Sequence, residues 1–568
     1  MGDLGFGLRR LGGKIIVGLH RLEFARFIEG CQNPRKIQNQ ILEKLSRKFS
    51  ASPWAEFLPY QRIADSNRPM DELRRVPATD YSDYEVFLND IATGAKVGRT
   101  RGDLDIRMLA LTSGTTGSSK MIPVTSASLR SVRQMWRLWG FSAFSQHPLA
   151  GAGKFLQFSS PWQKTKTPSG LYAGAMTGIA TSMQPRVVRN NYIVPYEVSG
   201  VEDTEERYYV AAAFALSEEN LSFAIAANPQ TLLNFLDWAN KSSEDLLAYI
   251  RTGRDPRTQS RQHYRGPILH ANPNRARQLD RILTACGRFD PQRIWPRLDL
   301  VATWLGGTMG RHLPELQQNF GDRIAFRDPG LLATEGAFTI PMRDGCGEGV
   351  VAPCHQITEF WPTRLGEFRT ELSEGLVPMW ELKVGDQYEV FVTGWNGLLR
   401  YRMRDIVQCT GYFVGVPMVR FLHKTRDMSS MTGEKLSAFQ VSEAIKVLTR
   451  KFPELKGRQI LLQAVWGSPP NYRIVVASDA LSPELAKHIS AALDEELRLF
   501  NDEYDDRRRT RRLAQPVVIQ ETPAFFAQLE VEARLRAGYV PEQRKSPVLL
   551  PLIEGEPSQS SISMGISA

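Results

Sequence analysis

The sequence predicts an α/β protein: a large N-terminal α/β domain followed by a smaller α+β one. Three observations carry that expectation. Strand-like and helical segments alternate through the middle of the chain. A hydroxyl-rich glycine loop follows an apolar run that ends near residue 112. Beyond residue 425 the rhythm changes to shorter alternations. With 568 residues, the chain is also longer than one ordinary domain.

Residues 1 to 100 read as mostly helical, with Ile37, Ile41, Leu42 and Leu45 recurring at helical spacing in a segment rich in Lys, Gln and Glu. Arg74 to Tyr84 is turn-like and leads into a short helix. Met108 to Leu111 is an apolar run that stops in small residues, the pattern of a buried strand feeding a loop. Thr125 and Ser126 then cap a helix carrying Leu129, Val132, Met135 and Leu138. Leu298 to Trp304 is strand-like and ends at Gly306 and Gly307, a helical segment runs through Leu313 and Leu316, and Arg323 to Phe326 resumes a strand. Tyr388 to Val392 and Asp405 to Phe413 are strands around an Asn396-Gly397 turn.

In the last part, Val441, Ile445, Leu448 and Phe452 form a helical stripe. Ile460 to Trp466 and Arg473 to Ala477 flank a Ser468-Pro469-Pro470-Asn471 turn, and Ser482 with Pro483 opens a helix. A strand (Pro516 to Gln520) and a helix (Pro523 to Arg536) follow. These patterns divide the chain into 1–424, 425–555 and a Ser-rich tail, 556–568, expected to be disordered.

Composition narrows the class. A hydrophobic fraction of 42% and a charged fraction of 23% are those of a globular protein. No apolar run reaches the roughly 18 residues needed to cross a bilayer. The apolar Ile15, Ile16 and Val17 are soon followed by His20 and Arg21, so the sequence offers no export signal and a cytoplasmic protein is expected. Five scattered cysteines argue against a disulfide framework, and Cys346, Cys354 and His355 lack zinc-site spacing. The net charge of +10 is spread along the chain, and its densest run, Arg507 to Arg512, follows Asp502, Glu503, Asp505 and Asp506. That is a charge-laced helix end, and no nucleic-acid-binding signature accompanies it.

The strongest chemical signal is Thr112-Ser113-Gly114-Thr115-Thr116-Gly117-Ser118-Ser119-Lys120 after the first strand. The glycines let backbone N–H groups face one point, and hydroxyls and a lysine add donors, which suits a polyphosphate. It is not a Walker A loop, because the glycine spacing differs and Met121 follows the lysine.

This loop resembles the phosphate-binding signature of the adenylate-forming superfamily of acyl-CoA synthetases, peptide-synthetase adenylation domains and luciferases, with Ser119 in place of its proline. Ala333-Thr334-Glu335-Gly336 resembles the motif whose acid helps to hold Mg²⁺ near ATP. Tyr401-Arg402-Met403-Arg404-Asp405 resembles the motif whose aspartate grips the ribose hydroxyls. A carboxylate suits both tasks, since Mg²⁺ prefers hard oxygen ligands and a diol offers two donors. More narrowly, Val76-Pro77-Ala78-Thr79-Asp80-Tyr81, Tyr388 to Thr393, Gly397 to Arg402 and Gly433-Glu434-Lys435-Leu436-Ser437 are similar to the auxin-responsive promoter family of acyl acid amido synthetases.

The resemblance implies a large N-terminal domain, a small mobile C-terminal one and a hinge at His423 to Asp427. It also implies ATP and Mg²⁺ as cofactors, with a small carboxylic acid and an amine, normally an amino acid, as substrates. Leu331 stands where the family has an adenine-stacking tyrosine, and Arg404 where it has glycine. Gln543 to Pro547 resembles the family's C-terminal segment, making Lys545 the candidate second lysine, with Lys435 as the other. Trp304, Gly306 and Gly307 are candidates for the acyl pocket. Two other readings stay open at this level: a ligase that passes the acyl group to a thiol, and a non-catalytic relative that binds a small acid.

Overall fold

The structure, a computed structural model, describes residues 20–94, 105–112, 120–201, 203–257, 266–365, 374–425, 436–467, 469–478, 480–537 and 548–550, together with 18, 264, 428, 429, 431, 432 and 434. Contacts divide the chain into two compact units, one running to Phe421 and the other beginning at Leu422.

The described part of the first unit opens with helices. In the helix Pro34–Ser50, Leu42, Leu45 and Phe49 are buried, each contributing roughly 1.5–3 kcal/mol by leaving water. The apolar run expected as a strand is β1 (Ile106–Thr112), antiparallel to β2 (Lys120–Thr125). Thr125 caps the helix Ser126–Gln146, accepting a hydrogen bond from the Ser128 N–H in a capping box. β3 (Lys154–Gln157) starts a second sheet, while β4 (Thr165–Lys166) and β5 (Tyr172–Gly174) complete the first in the order β2-β1-β5-β4.

β6 (Leu221–Ile225), β7 (Leu300–Ala302) and β8 (Ala325–Arg327) extend the second sheet in the order β3-β6-β7-β8, with neighbouring strands parallel. Helices such as Pro229–Lys241 and Pro273–Cys286 fill the connection from β6 to β7, as parallel pairing requires. Leu221, Ala224, Leu300, Val301 and Ala302 are fully buried.

A short hairpin, β9 (Leu332–Ala333) with β10 (Gly336–Ala337), leads into the largest sheet. Its strands are β11 (Thr339–Ile340), β12 (Glu348–Val351), β13 (Ile357–Pro362), β14 (Val377–Pro378), β15 (Gln387–Thr393), β16 (Tyr401–Phe413) and β17 (Val416–Lys424). Their order is β11-β12-β17-β16-β15-β13-β14. Only the β15–β16 hairpin was expected from the sequence. Its Asn396-Gly397 turn needs glycine: Gly397 has φ +90°, and a Cβ there would meet the Trp54 ring at 2.5 Å. Burial pushes the Cys31 and Cys354 thiols up to about 12, so both stay protonated and unreactive near neutral pH.

The second unit pairs β18 (Met428–Ser429) with β19 (Leu436–Ser437). β20 (Ile460–Val465), β21 (Asn471–Ala477), β22 (Val517–Glu521) and β23 (Leu549–Leu550) form a sheet in the order β22-β21-β20-β23. Helices Ala438–Lys451 and Pro483–Phe500 contribute Val441, Leu448, Ile489, Leu493 and Leu497 to its core. Ser482 caps the second helix through the Leu485 N–H. The basic run continues the helix Asp502–Arg509, where Arg508 pairs with Asp494 and Arg509 with Asp505.

Glu434 is fully buried here. It accepts hydrogen bonds from the N–H groups of Met431 and Thr432, each at 2.8 Å, and from the Tyr472 hydroxyl at 2.6 Å. Burial alone would raise its pKa, but these donors outweigh burial and hold the carboxyl below its ordinary value. Its stabilisation is therefore complete above the unfolded-state value of about 4.3 and is lost as pH falls through the lower folded value. Glu434→Gln should cost about 1–3 kcal/mol at pH 7 and flatten the acid limb of stability below about pH 4, as read by denaturant unfolding from pH 3 to 7.

Candidate active site

The β1–β2 hairpin puts Thr112 opposite Lys120, so the two ends of the phosphate-loop motif are paired backbone to backbone. Ser113, Gly114, Thr115, Thr116 and Gly117 between them lie outside the described residues, as do Lys435 and Lys545. Lys120 reaches over the Tyr81 ring, with Nζ 5.0 Å from its centroid. The Tyr81 hydroxyl in turn accepts the Met121 N–H at 2.9 Å, fixing this ring to β2.

Tyr81 stands there because two of the segments quoted above join. Thr79 bridges Tyr401 in parallel fashion: its N–H donates to the Arg400 carbonyl at 3.0 Å and its carbonyl accepts from the Arg402 N–H at 2.8 Å. Asp80 follows, accepts the Tyr81 N–H at 2.7 Å and pairs with Arg404. Burial pushes the Asp80 carboxyl up, but the Arg404 hydrogen bond, the Tyr81 N–H and the Arg404 and Lys120 charges together hold it below the usual carboxylate range.

Asp405 is buried in an interruption of β16. Glu389 faces Ile406 and Phe391 faces Arg402, so Met403, Arg404 and Asp405 all oppose Val390. Such bulges re-aim side chains and need an unusual backbone. Arg404 takes it up at φ +61°, a left-handed conformation that glycine adopts without cost. The departure noted in the sequence thus falls on the strained residue. The Arg404 side chain turns neither wholly to solvent nor to a free position, since its guanidinium holds Asp80. Its pair is more than a third exposed on the Arg404 side and is worth no more than about 1 kcal/mol. Arg404→Gly relieves the strain and Arg404→Ala keeps it. The glycine variant should be the more stable of the two by about 1 kcal/mol in denaturant unfolding.

Thr334 and Glu335 form the turn of the β9–β10 hairpin, half-buried. The buried Asn396 donates its side-chain N–H to the Glu335 carbonyl at 3.0 Å, and a Cβ on Gly336 would lie 2.2 Å from Gln356 Oε1. The hairpin is therefore clamped from two sides. The Tyr401 hydroxyl is pushed well up, first by burial and then by the negative charges of Glu335 and Asp80. Asp80 thus meets Arg404 beside Tyr81 and Lys120, Asp405 lies in the bulge next to Arg404, and the Glu335 turn is tied to Asn396 between β15 and β16. One buried carboxylate, one half-buried carboxylate and an ammonium are donors and acceptors that fit a diol, a hard divalent cation and phosphate oxygens.

Trp304, Gly306 and Gly307 form a second group beyond the carboxyl end of β7. Trp304 is half-buried and its N–H donates to the Ala227 carbonyl at 3.0 Å, whereas Gly306 and Gly307 are buried. Leu331 is partly buried in the segment that runs from β8 into β9. Its N–H donates to Thr339 Oγ1 at 2.8 Å and its carbonyl accepts the Phe338 N–H at 2.9 Å. The sequence reading assigned no role to Asp80, Tyr81 or Asn396. The first two lie in a segment quoted for the resemblance, and Asn396 was visible only as a turn residue.

Solved structures share this fold. A GH3.15 acyl acid amido synthetase superposes with a TM-score of 0.77 over 93% of each chain at 21% identity. A second, titled "AtGH3.15 acyl acid amido synthetase in complex with 2,4-DB", gives 0.76 over 93% of each chain at 20% identity. In sequence, the chain is 25% identical over 427 residues, 71% of each chain, to a probable indole-3-acetic acid-amido synthetase GH3.11 of Oryza sativa subsp. japonica. It is 22% identical over 428 residues to the indole-3-acetic acid-amido synthetase GH3.10 of Arabidopsis thaliana, covering 70% of this chain and 72% of that one. Fold and relatives together define the class as that of ligases that form amide bonds. The GH3 family N-terminal, central and C-terminal domain profiles match residues 23–324, 349–424 and 440–551, and the chain belongs to that family.

Proposed function

We propose that the protein ligates a small aromatic carboxylic acid to an amino acid, using ATP and Mg²⁺ and passing through an acyl-adenylate. The observation that carries this reading is the meeting of segments distant in sequence: Thr79 bridges Tyr401, Asp80 pairs with Arg404 beside Asp405, Lys120 lies over Tyr81, and the Glu335 turn is tied to Asn396 between β15 and β16. The relatives named for indole-3-acetic acid and the neighbour bound to 2,4-DB support the acid class.

In this reading Asp405 accepts the ribose hydroxyls, Leu331 packs against the base, and the 112–117 loop with Thr334 and Lys120 holds the phosphates. Mg²⁺ held by Glu335 supplies charge neutralisation at the phosphates. The acid's carboxylate attacks the α-phosphorus, and Lys120 stabilises the charge that moves onto departing pyrophosphate. Trp304, Gly306 and Gly307 border the acyl group. The chain to residue 424 binds nucleotide and acid, and the 425–555 domain brings Lys545 or Lys435 to the phosphates. The amine then attacks the acyl carbonyl and AMP leaves. A neutral amine is nucleophilic enough to need no activated side chain.

The test is acid-dependent pyrophosphate release with a panel of indolyl, aryl and fatty acids, followed by an acceptor panel of amino acids and thiols. Release with an aromatic acid and transfer to an amino acid is the expected result. Transfer only to a thiol would make the protein a CoA-type ligase, and no release with any acid would sink the adenylation reading.

A further inference from the structure

A cation that the preceding reading does not use stands directly before Asp405. Arg404 sits at φ +61° in the bulge of β16, a conformation that glycine would adopt without strain. A left-handed arginine persists only where its surroundings hold it, and such outliers cluster where ligands bind. Its guanidinium donates through Nη2 to the Asp80 carboxylate. Its Nε–H is buried and has no acceptor among the described residues, while the side chain as a whole is 37% exposed. Asp80 thus aims a fork of five N–H donors without using most of them. A second cation is close by. The Lys120 ammonium stands over the Tyr81 ring, Nζ 5.0 Å from its centroid, and its charge also acts on Asp80. Two cations against one carboxylate leave a local excess of positive charge, which attracts an anionic ligand.

We infer that Arg404 grips the α-phosphate of the nucleotide, the phosphoryl group that stays in the acyl-adenylate and in AMP, while Lys120 serves the departing pyrophosphate. The inference rests on the adenylation reading of this site. In that reading Asp405 holds the ribose hydroxyls, and the α-phosphate is the one joined to that ribose. The cation next to Asp405 is therefore at the ribose end of the triphosphate, and the lysine that closes the phosphate-loop motif serves the outer end. A planar guanidinium matches two oxygens of a phosphoryl group at once, through charge-assisted bonds. In a regular strand residues 404 and 405 would point to opposite faces, and the bulge suspends that alternation. Glycine would supply the same bend without the cation, so the bend alone does not account for an arginine. The contact persists from ATP through the adenylate to AMP, because the α-phosphate is present in all three.

The experiment compares AMP with adenosine, which differ by the α-phosphate alone, in calorimetric titrations of the full chain as wild type, Arg404→Gly and Arg404→Lys. The wild type should bind AMP at least about tenfold more tightly than adenosine. Arg404→Gly should weaken AMP binding about tenfold and leave adenosine within about twofold, and it relieves the left-handed strain, so the variant is expected to fold. Arg404→Lys keeps the charge without the fork and should fall between the other two. An AMP-to-adenosine ratio unchanged in the glycine variant, or an equal weakening of both ligands, would overturn the role of Arg404. Equal affinities for the two ligands in the wild type would do the same. A wild type that binds neither ligand would instead overturn the adenylation reading, and this inference with it.

Discussion

Lys120→Ala should lower kcat/KM for acid-dependent pyrophosphate release by about 100-fold or more, with little loss of stability. The lysine begins β2 opposite Thr112, where the phosphate-loop motif closes, and its ammonium lies over Tyr81 beside Asp80. Its interaction with the ring is worth about 0.5–1 kcal/mol at a partly exposed site, so the fold should survive the change. What is lost is a positive charge aimed at a developing negative one, a contribution of about 3 kcal/mol when a preorganised donor is removed. Lys120→Arg should not restore full activity, because a planar guanidinium does not reproduce a compact ammonium on a flexible stem. Release measured over a range of ATP and acid concentrations, beside thermal unfolding of the same samples, checks both halves. Full activity in the alanine variant would remove Lys120 from the chemistry.

Glu359→Gln should destabilise the first unit by about 3–5 kcal/mol and lower activity with it. Glu359 and Arg400 are both buried and meet in a two-point pair, Nε to Oε2 and Nη2 to Oε1, each at 2.9 Å. The same guanidinium donates to the carbonyls of Arg74 and Val76, the stretch that leads to Thr79, Asp80 and Tyr81. Neutralising the acid leaves a cation in the interior without its charge partner. Such breakage costs more than the intact pair contributes, because desolvation of the remaining charge is no longer offset. The double change Glu359→Gln with Arg400→Met should recover much of the stability but not the activity, since the 74–76 carbonyls still lose their donor. Denaturant unfolding resolved into separate transitions for the two units, with pyrophosphate release alongside, is the measurement.

The parts of the fold that were legible are those fixed by neighbours along the chain. Met108 to Leu111 as a buried strand, Thr125 and Ser482 as caps, and the Val441 to Leu448 stripe each depend on residues within a few positions, so short patterns carry them. The family was legible for a similar reason, because the motifs that resemble it are contiguous runs.

The seven-stranded sheet was not, apart from one hairpin. Strands such as β11 and β14 are two residues long and carry too little pattern to be read. Their pairing is decided by register across long separations. The bulge at Met403 to Asp405 and the left-handed Arg404 arise from how β16 must meet β15, and no local preference of an arginine announces them. The joining of Thr79 to Tyr401 is likewise settled only when the sheets close. By itself, then, the sequence determined the element types, the family and the chemical groups on offer. Which of those groups face one another was decided by tertiary structure, because hydrogen bonds and charges act over a few ångströms of space whatever their distance along the chain.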